Sequence, residues 1–217
     1  MNIEVGRPDE LTSYRKVAIA SWRHPRDPST YSWVDLPLEP MEAFLAEQNG
    51  KTAVTLTHVV AQIMGHCLER QPEFNRFLRR GKLYPRTSTD AFITTLLRGK
   101  KGKDLSGFVV RDVTGKSLQR VADECAEEAE KLRRGADPVM KRTQKTIDGL
   151  SAQALKSILR IQEAVAYGLN WDPWWLGMPK DRFGSFMLSN IGALGLERGL
   201  IPLSPYTRCP IILGLGK

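Results

Sequence analysis

Near residue 190 the chain reads Gly184-Ser-Phe-Met-Leu-Ser-Asn-Ile-Gly192, which is a short apolar run between two glycines. The apolar part, residues 186–188, has the length and composition of a buried core strand. Ser189 and Asn190 then place two small polar side chains at the end of that predicted strand. A hydroxyl and an amide held on a rigid strand end can donate hydrogen bonds to an oxyanion. Alternatively, the two side chains stabilise the backbone of a tight turn.

A glycine-rich link and a second apolar run follow this strand. Gly192, Gly195 and Gly199 permit backbone angles that other residues resist, which favours a shaped turn. Residues 211–216, Ile-Ile-Leu-Gly-Leu-Gly, predict another short buried strand. The region is therefore predicted to form two core strands, with Ser189 and Asn190 where the link between them begins.

These segments together resemble one known family. The pattern Gly-x-Phe-x-x-Ser-Asn-x-Gly over residues 184–192, followed by Pro202, Pro205 and Ile-Ile-Leu-Gly-x-Gly over 211–216, is similar to the catalytic domain of dihydrolipoamide acyltransferases. Those domains are the acyl-transfer cores of 2-oxo acid dehydrogenase complexes. The resemblance implies an α/β fold of chloramphenicol acetyltransferase type, with a mixed β-sheet and helices packed on it. It also implies one catalytic domain over residues 1–217, with an insertion at about 136–182 that is more typical of standalone family members.

The resemblance also implies a chemistry and a set of site residues. The expected reaction moves an acyl group between coenzyme A and a thiol such as dihydrolipoamide, or another small acceptor. Ser189 is expected to donate a hydrogen bond to the tetrahedral intermediate, while Asn190 and Gly192 shape the substrate-binding wall. Coenzyme A or its acyl thioester is then a substrate, with no tightly bound cofactor. A homotrimer with active sites between subunits is the expected assembly.

One family motif is absent from this sequence. The family places the motif His-x-x-x-Asp-Gly after the second strand, and its histidine is the general base. Here the histidines are His24, His58 and His66, and none stands in that motif. Loss of a general base costs about 10²–10⁴ in rate, so the 217-residue chain is expected to be a poor enzyme. It is then either an incomplete portion of an acyltransferase or a non-catalytic homologue that serves as a binding or assembly module.

Composition narrows the class of protein further. The chain has 217 residues, of which 41% are hydrophobic and 26% charged, as expected for one globular domain. No apolar segment reaches the ~20 residues of a membrane span, and the first residues lack a signal-peptide pattern. Three widely separated cysteines, Cys67, Cys125 and Cys209, predict reduced thiols in the cytoplasm and no zinc site. His58 and His66, eight residues apart, are not expected to bind one metal ion.

The formal charge is +8, and the basic residues concentrate at 70–103 and 131–145. Such an excess suits an anionic ligand, either the phosphates of coenzyme A or a nucleic acid. Most often it is only a solvated surface. The basic segments contain no recognition-helix pattern and no aromatic stacking platform, so nucleic-acid binding is the least favoured function.

Periodicity predicts the remaining elements. They are a helix at 12–22 with Arg15 and Lys16, a strand at 31–38, a helix at 40–48, a helix at 58–70 capped by Thr57, a hairpin of strands 87–97 and 105–113, a helix at 116–133 and an inserted helix at 150–167. Asp90, Arg111 and Asp112 match polar positions in the family's active-site hairpin, without an assigned chemistry. The segment Trp171-Asp-Pro-Trp-Trp-Leu176 is expected to pack on the domain's own sheet; a subunit contact, a lid and a membrane-surface contact are the alternatives.

Overall fold

The computed structural model describes residues 3–8, 29–48, 52–99, 102–134, 152–172, 181–203 and 207–217. The predicted helix at 12–22, His24, Pro205, the segment 135–145 and Trp174–Trp175 lie outside these residues. The described helices are α1 (Glu39–Glu47), α2 (Leu56–Arg70), α3 (Leu118–Arg133) and α4 (Ala152–Glu163). The strands are β1 (Arg76–Arg79), β2 (Lys82–Pro85), β3 (Ala91–Gly99), β4 (Gly102–Val110), β5 (Phe186–Asn190) and β6 (Ile211–Leu215).

Four strands form the main sheet, in the order β4-β3-β5-β6. The β3–β4 pair is antiparallel, whereas β5 runs parallel to both β3 and β6. The sheet is therefore mixed, as predicted. The predicted hairpin is confirmed with shifted bounds, because residues 87–90 precede β3 and residues 111–113 follow β4. The two strands read from residues 184–216 are both present, and they lie side by side as parallel neighbours.

Helices α2 and α3 cover one face of this sheet. The core between the helices and the sheet contains buried side chains from both helices and from three strands: Ala61, Leu68, Ala91, Ile93, Phe108, Val110, Val121, Cys125, Phe186 and Leu188. Because strand side chains alternate between faces, Ala91, Ile93, Phe186 and Leu188 define the helix-covered side. The intervening residues of β3 and β5 lie on the opposite face.

Helix α2 begins earlier than predicted. Thr55, not Thr57, is its N-cap, and the side chain of His58 reaches back to the N–H of Thr55 in a capping box. Ile63 and Cys67 of this helix are exposed, whereas Ala61 and Gly65 are buried. Small residues on the buried side let α2 approach the chain after β4, where a Cβ at Gly65 would lie 2.7 Å from Val113.

The strand predicted at 31–38 is not formed. These residues have no regular secondary structure and carry exposed apolar side chains, with Trp33 at 66% and Val34 at 76% exposure. Their alternation of apolar and polar residues has no neighbouring strand to pair with among the described residues. Helix α1 follows at nearly the predicted bounds, with Pro40 in its first turn.

The inserted helix is present as α4 and continues as a π-helical turn over Ala164–Gly168. Ala166 and Tyr167 of that turn pack with Ile3 and Phe77 in a second, smaller core. Trp171 is 57% exposed. For this tryptophan, the expected packing inside the domain is therefore wrong. Within the described ranges, no helix has both the length and the apolar character needed to cross a membrane.

Gly184 precedes β5 in a left-handed conformation, with φ 65°, and a Cβ there would lie 2.7 Å from the carbonyl oxygen of Asp90. Gly81 has a similar φ of 73° but open space around it. We expect Gly81→Ala to cost about 1 kcal/mol of stability, from backbone conformation alone. Gly184→Ala should cost about 1–3 kcal/mol more, because the methyl group also collides with Asp90 just before β3. Urea unfolding of both variants measures the difference, and equal losses would contradict the close approach.

All three cysteines are free, but only Cys67 is exposed. Burial raises the pKa of Cys125 and of Cys209 to about 12, so both stay protonated and unreactive near neutral pH. We therefore expect one of the three thiols to react rapidly with a disulfide reagent at pH 8, and three after denaturation. A Cys67→Ser variant should lose the fast phase. Rapid reaction of two thiols in the native protein would contradict the described burial.

Candidate functional site

Strand β5 carries Ser189 and Asn190 as its last two residues, as predicted. It lies between β3 and β6, and so both residues sit at the carboxyl end of a central strand of the sheet. Ser189 pairs in register with Gly214 of β6. A central strand held on both sides is a rigid support, which a hydrogen-bond donor for a reacting group requires.

Ser189 lies on the sheet face opposite helices α2 and α3. Leu188 before it is fully buried in the helix-covered core, and strand alternation turns Ser189 to the other side, where it is half-buried. There its Oγ accepts a hydrogen bond of 2.9 Å from the Oγ1 of Thr94 on β3. The serine oxygen therefore accepts a hydrogen bond from a neighbour, and its own hydroxyl can donate a hydrogen bond elsewhere.

Asn190 has a different environment from Ser189. Its Oδ1 accepts the backbone N–H of Ala193 at 3.0 Å, and its Nδ2 lies 3.4 Å from the Oγ1 of Thr57 at the start of α2. These contacts correspond to the turn-stabilising alternative. They tie the end of β5 to the helix layer. The substrate-binding role expected for Asn190 stays a prediction.

The glycines after β5 serve mainly close packing. Gly195 ends a 3₁₀ turn over Gly192–Leu194 in the left-handed region, with φ 85°. Gly192 and Gly199 have no such φ, so the expectation of special backbone angles is wrong for both. Instead, a Cβ at Gly192 would lie 2.8 Å from the carbonyl oxygen of Gly216. Gly192 thus lets the chain after β6 pass directly beside the strand end, and its role toward a substrate stays a prediction.

A cluster of charged side chains occupies the opposite end of the same strands. Asp90, just before β3, is buried and accepts hydrogen bonds from the guanidinium of Arg111 at 2.8 Å and the N–H of Asp112 at 2.9 Å. Its own N–H is bound by the Oγ of Ser185 at 3.2 Å. The three polar residues noted in the sequence are therefore brought together. They fix the start of β3 to the end of β4, at the far end of the strands from Ser189.

A buried ion pair that was not predicted from the sequence lies beside this cluster. Arg86 and Asp181 form it at 2.5 Å, with side chains only 3% and 8% exposed. The guanidinium of Arg86 also lies 5.7 Å from the ring centre of Phe77. Asp181 additionally accepts, through its backbone oxygen, a 2.9 Å hydrogen bond from Arg111. Two positions 95 residues apart make this pair, so no local pattern could indicate it.

The two described histidines have structural partners. The Nδ1 of His58 accepts the Thr55 N–H at 3.1 Å, and burial lowers the pKa of His58 below its usual value. The Nδ1 of His66 lies 3.1 Å from the carboxylate of Glu69, and both side chains are about half exposed. Within the described ranges, no group of three or more His, Cys, Asp and Glu side chains could hold a metal ion.

A cavity of about 170 Å³ lies between the end of α2 and the chain that leads into β3. Its walls include Leu68, Asn75, Thr89 and Asp112. None of its lining residues belongs to β5 or to the turn after it. The cavity is therefore separate from the strand end that carries Ser189.

No protein-family model matches the chain. No curated protein matches its sequence. Solved structures do match over nearly its whole length. The dihydrolipoamide acetyltransferase of Azotobacter vinelandii, studied for the catalytic roles of one serine, one histidine and one asparagine, gives a TM-score of 0.58 at 20% identity. That match covers 98% of this chain and 73% of the other.

Two further structures agree with it. The cubic core of the pyruvate dehydrogenase multienzyme complex gives a TM-score of 0.59 at 19% identity, with 98% of this chain and 73% of the other covered. A truncated catalytic core of the 2-oxoacid dehydrogenase multienzyme complex from Thermoplasma acidophilum gives 0.55 at 16% identity, with 98% and 80% covered. These matches show that the chain has the fold of such cores, and they confirm at the level of fold the resemblance read from residues 184–216.

Proposed function

We propose that this protein is an acyltransferase that moves an acyl group between coenzyme A and a small acceptor, most simply a thiol of the dihydrolipoamide type. The observation that carries the proposal is the Ser189 hydroxyl. It is fixed at the end of a central strand, outside the helix-covered core, and its oxygen accepts a hydrogen bond from Thr94. The fold, shared with acetyltransferase cores at 16–20% identity, supports the same chemistry.

In the proposed reaction the acceptor sulfur attacks the thioester carbonyl carbon of acyl-coenzyme A. A new carbon–sulfur bond forms, and the carbonyl electron pair moves to oxygen as an oxyanion. The Ser189 hydroxyl donates a hydrogen bond to that oxygen. This hydrogen bond is strongest when the negative charge on the oxygen is fully developed. The intermediate then collapses and the bond to the coenzyme A sulfur breaks. The proton released by the acceptor thiol is finally taken up by the departing coenzyme A thiolate.

The proton of the acceptor thiol needs a base. His58 and His66 do not fill that role, because the Nδ1 of His58 caps α2 and His66 pairs with Glu69 on the surface. With neither of these described histidines in that role, we propose that transfer at Ser189 uses acceptor thiolate formed in solution, so that its rate follows the thiolate fraction. General-base catalysis would supply about 10²–10⁴ in rate, and oxyanion stabilisation by Ser189 remains without it.

We propose further that the protein works as a homotrimer in the cytoplasm and binds coenzyme A as a substrate, not as a resident cofactor. The exposed apolar side chains of the segment 29–38 support an assembly. Trp33, Val34 and Leu36 are each about two-thirds exposed or more, and Asp35 between them pairs with Arg198 at 2.6 Å beyond β5. An apolar surface of this kind marks a contact site. Through the Asp35–Arg198 pair, this surface contacts the part of the chain that follows the Ser189 strand end.

A second candidate function is a non-catalytic binding or assembly module. The insertion favours it, because Ile161, Leu169 and Trp171 expose more than half of their side-chain surface. In that case the Ser189 strand end has only a structural role, and the insertion is the surface that binds a partner. Nucleic-acid binding has no comparable support from the described contacts.

Calorimetric titration distinguishes these functions. Wild-type protein is titrated with coenzyme A and with acetyl-coenzyme A, and Ser189→Ala is titrated in parallel. We expect both ligands to bind the wild type, and the variant to lose affinity for the thioester, which carries the carbonyl, more than for the free thiol. No binding at millimolar ligand by folded protein would overturn the acyltransferase proposal and favour the binding module. Binding of duplex DNA that weakens steeply with salt and resists coenzyme A would favour the nucleic-acid function.

A further inference from the structure

We propose that Thr94 is a positioning residue that aims the Ser189 hydroxyl at the reacting carbonyl. The inference rests on the proposed function, since it assigns a role within the same site. Thr94 donates to Ser189 across 2.9 Å from the neighbouring strand, although 95 residues separate the two positions. Thr94 itself is not proposed to touch the substrate.

The register of the sheet fixes the two side chains next to each other. Ile93 of β3 pairs with Leu188 of β5, and Thr94 and Ser189 are the residues that follow this pair in the two parallel strands. Ile93 and Leu188 both point into the helix-covered core, so the next residues share the other face. The contact is therefore set by strand pairing and does not depend on a mobile loop.

On the other side of Thr94, strand β4 provides no side chain that could compete for the threonine hydroxyl. On β4, Gly107 pairs with Thr94 and contributes no side chain. A Cβ at Gly107 would lie 2.5 Å from the ring of Phe92, two residues before Thr94 on the same face. Phe92 in turn packs on Phe183, with ring centres 5.3 Å apart. The aromatic pair thus fills the space over Gly107, while the threonine hydroxyl binds toward β5.

The direction of the hydrogen bond matters for chemistry. A serine hydroxyl has one hydrogen and two lone pairs. With Thr94 donating into one lone pair, the serine hydrogen is directed away from Thr94 and toward the open face. A donor whose own oxygen accepts a hydrogen bond is also a stronger donor, because chains of hydrogen bonds polarise one another. Threonine suits the position because its branched Cβ restricts χ1 and so holds the hydroxyl in place.

Three variants test the inference. Thr94→Val removes the hydroxyl and keeps the shape, Thr94→Ser keeps the hydroxyl, and Thr95→Val is the matched control on the opposite face of the same strand. We expect Thr94→Val to lower kcat for acetyl transfer from acetyl-coenzyme A to dihydrolipoamide by roughly tenfold with KM unchanged, as for one lost hydrogen bond. Thr94→Ser should restore most of the rate, and Thr95→Val should match the wild type.

A second measurement needs no activity. Side-chain NMR couplings of Ser189 should report one rotamer in the wild type and in Thr94→Ser, and averaging over rotamers in Thr94→Val. An unchanged Ser189 rotamer in Thr94→Val would overturn the inference, as would a loss of kcat that Thr94→Ser does not recover. Failure of the wild type to transfer acyl groups would count against the proposed function alone, because the rotamer measurement still decides the role of Thr94.

Discussion

Ser189→Ala is expected to lower kcat for acyl transfer by about 10²–10³, the loss seen when one oxyanion donor is removed, whereas the accompanying loss of affinity for acetyl-coenzyme A, seen as a rise in KM, should be much smaller. The reason is that the hydroxyl meets a full negative charge only after the acceptor has attacked the thioester. Because Ser189 sits at a strand end and is only half-buried, the alanine variant should fold normally. Steady-state assays with acetyl-coenzyme A and dihydrolipoamide measure both constants.

Ser117→Ala is the matched control for this prediction. Ser117 caps α3 by accepting the N–H of Arg120 at 3.2 Å, and its loss should cost about 1 kcal/mol of stability. That variant should be less stable and equally active. If Ser117→Ala and Ser189→Ala lose activity to the same extent, the effect of Ser189 is one of stability and the oxyanion role is wrong.

The second large effect concerns the buried ion pair. Asp181→Asn should lower the free energy of unfolding by about 3–5 kcal/mol, because it leaves the Arg86 guanidinium charged and buried beside a neutral amide. Asparagine tolerates the left-handed backbone of this position, where φ is 39°, so the change reports the charge and not the conformation. Denaturant unfolding monitored by tryptophan fluorescence gives the value.

Two comparisons make the result specific. Asp35→Asn removes a charge from the pair with Arg198, whose side chains are 71% and 65% exposed, and should cost no more than about 1 kcal/mol. Adding Arg86→Met to Asp181→Asn removes the orphaned charge and should recover much of the lost stability. Equal losses from Asp181→Asn and Asp35→Asn would contradict the assignment of a desolvated pair at Arg86.

Local sequence patterns predicted the elements whose own apolar residues bury them in the core. Strand β5 is an apolar run between glycines, and its bounds of Phe186–Asn190 agree closely with the strand predicted from residues 184–192. Helix α3 has an apolar stripe at helical spacing, and Val121, Ala122 and Cys125 of this stripe are buried. In both cases the residues that form the element also bury it, so periodicity was sufficient.

The hairpin of β1 and β2 was missed although it had a signal. Arg80 and Gly81 both have positive φ, 47° and 73°, which is the geometry of a two-residue hairpin turn. Basic residues interrupt the short apolar runs on either side of Gly81, so neither run is long enough to predict a strand by alternation alone. At residues 31–38 the error was the reverse, since alternation predicted a strand that has no partner among the described residues.

The residues of the candidate site also divide into those that a local pattern indicates and those whose role depends on contacts distant in sequence. Ser189 was found because a hydroxyl at the end of an apolar run between glycines is visible in the sequence. Thr94 was not found, because its contact depends on β3 lying beside β5, and nothing within either segment specifies that neighbour. Asn190 illustrates a different limit, since its residue type suits both a turn and a substrate site. Its contacts with Ala193 and Thr57 show the turn role, and the substrate role stays a prediction.

The most direct test of the central claim is the rate of acetyl transfer from acetyl-coenzyme A to dihydrolipoamide with purified wild-type protein, against the uncatalysed reaction at the same pH. We expect a rate above this background that saturates in both substrates and rises with pH as the acceptor thiol ionises. A rate equal to the background at saturating acetyl-coenzyme A, from protein that is folded by circular dichroism, would contradict the claim that Ser189 marks an acyl-transfer site.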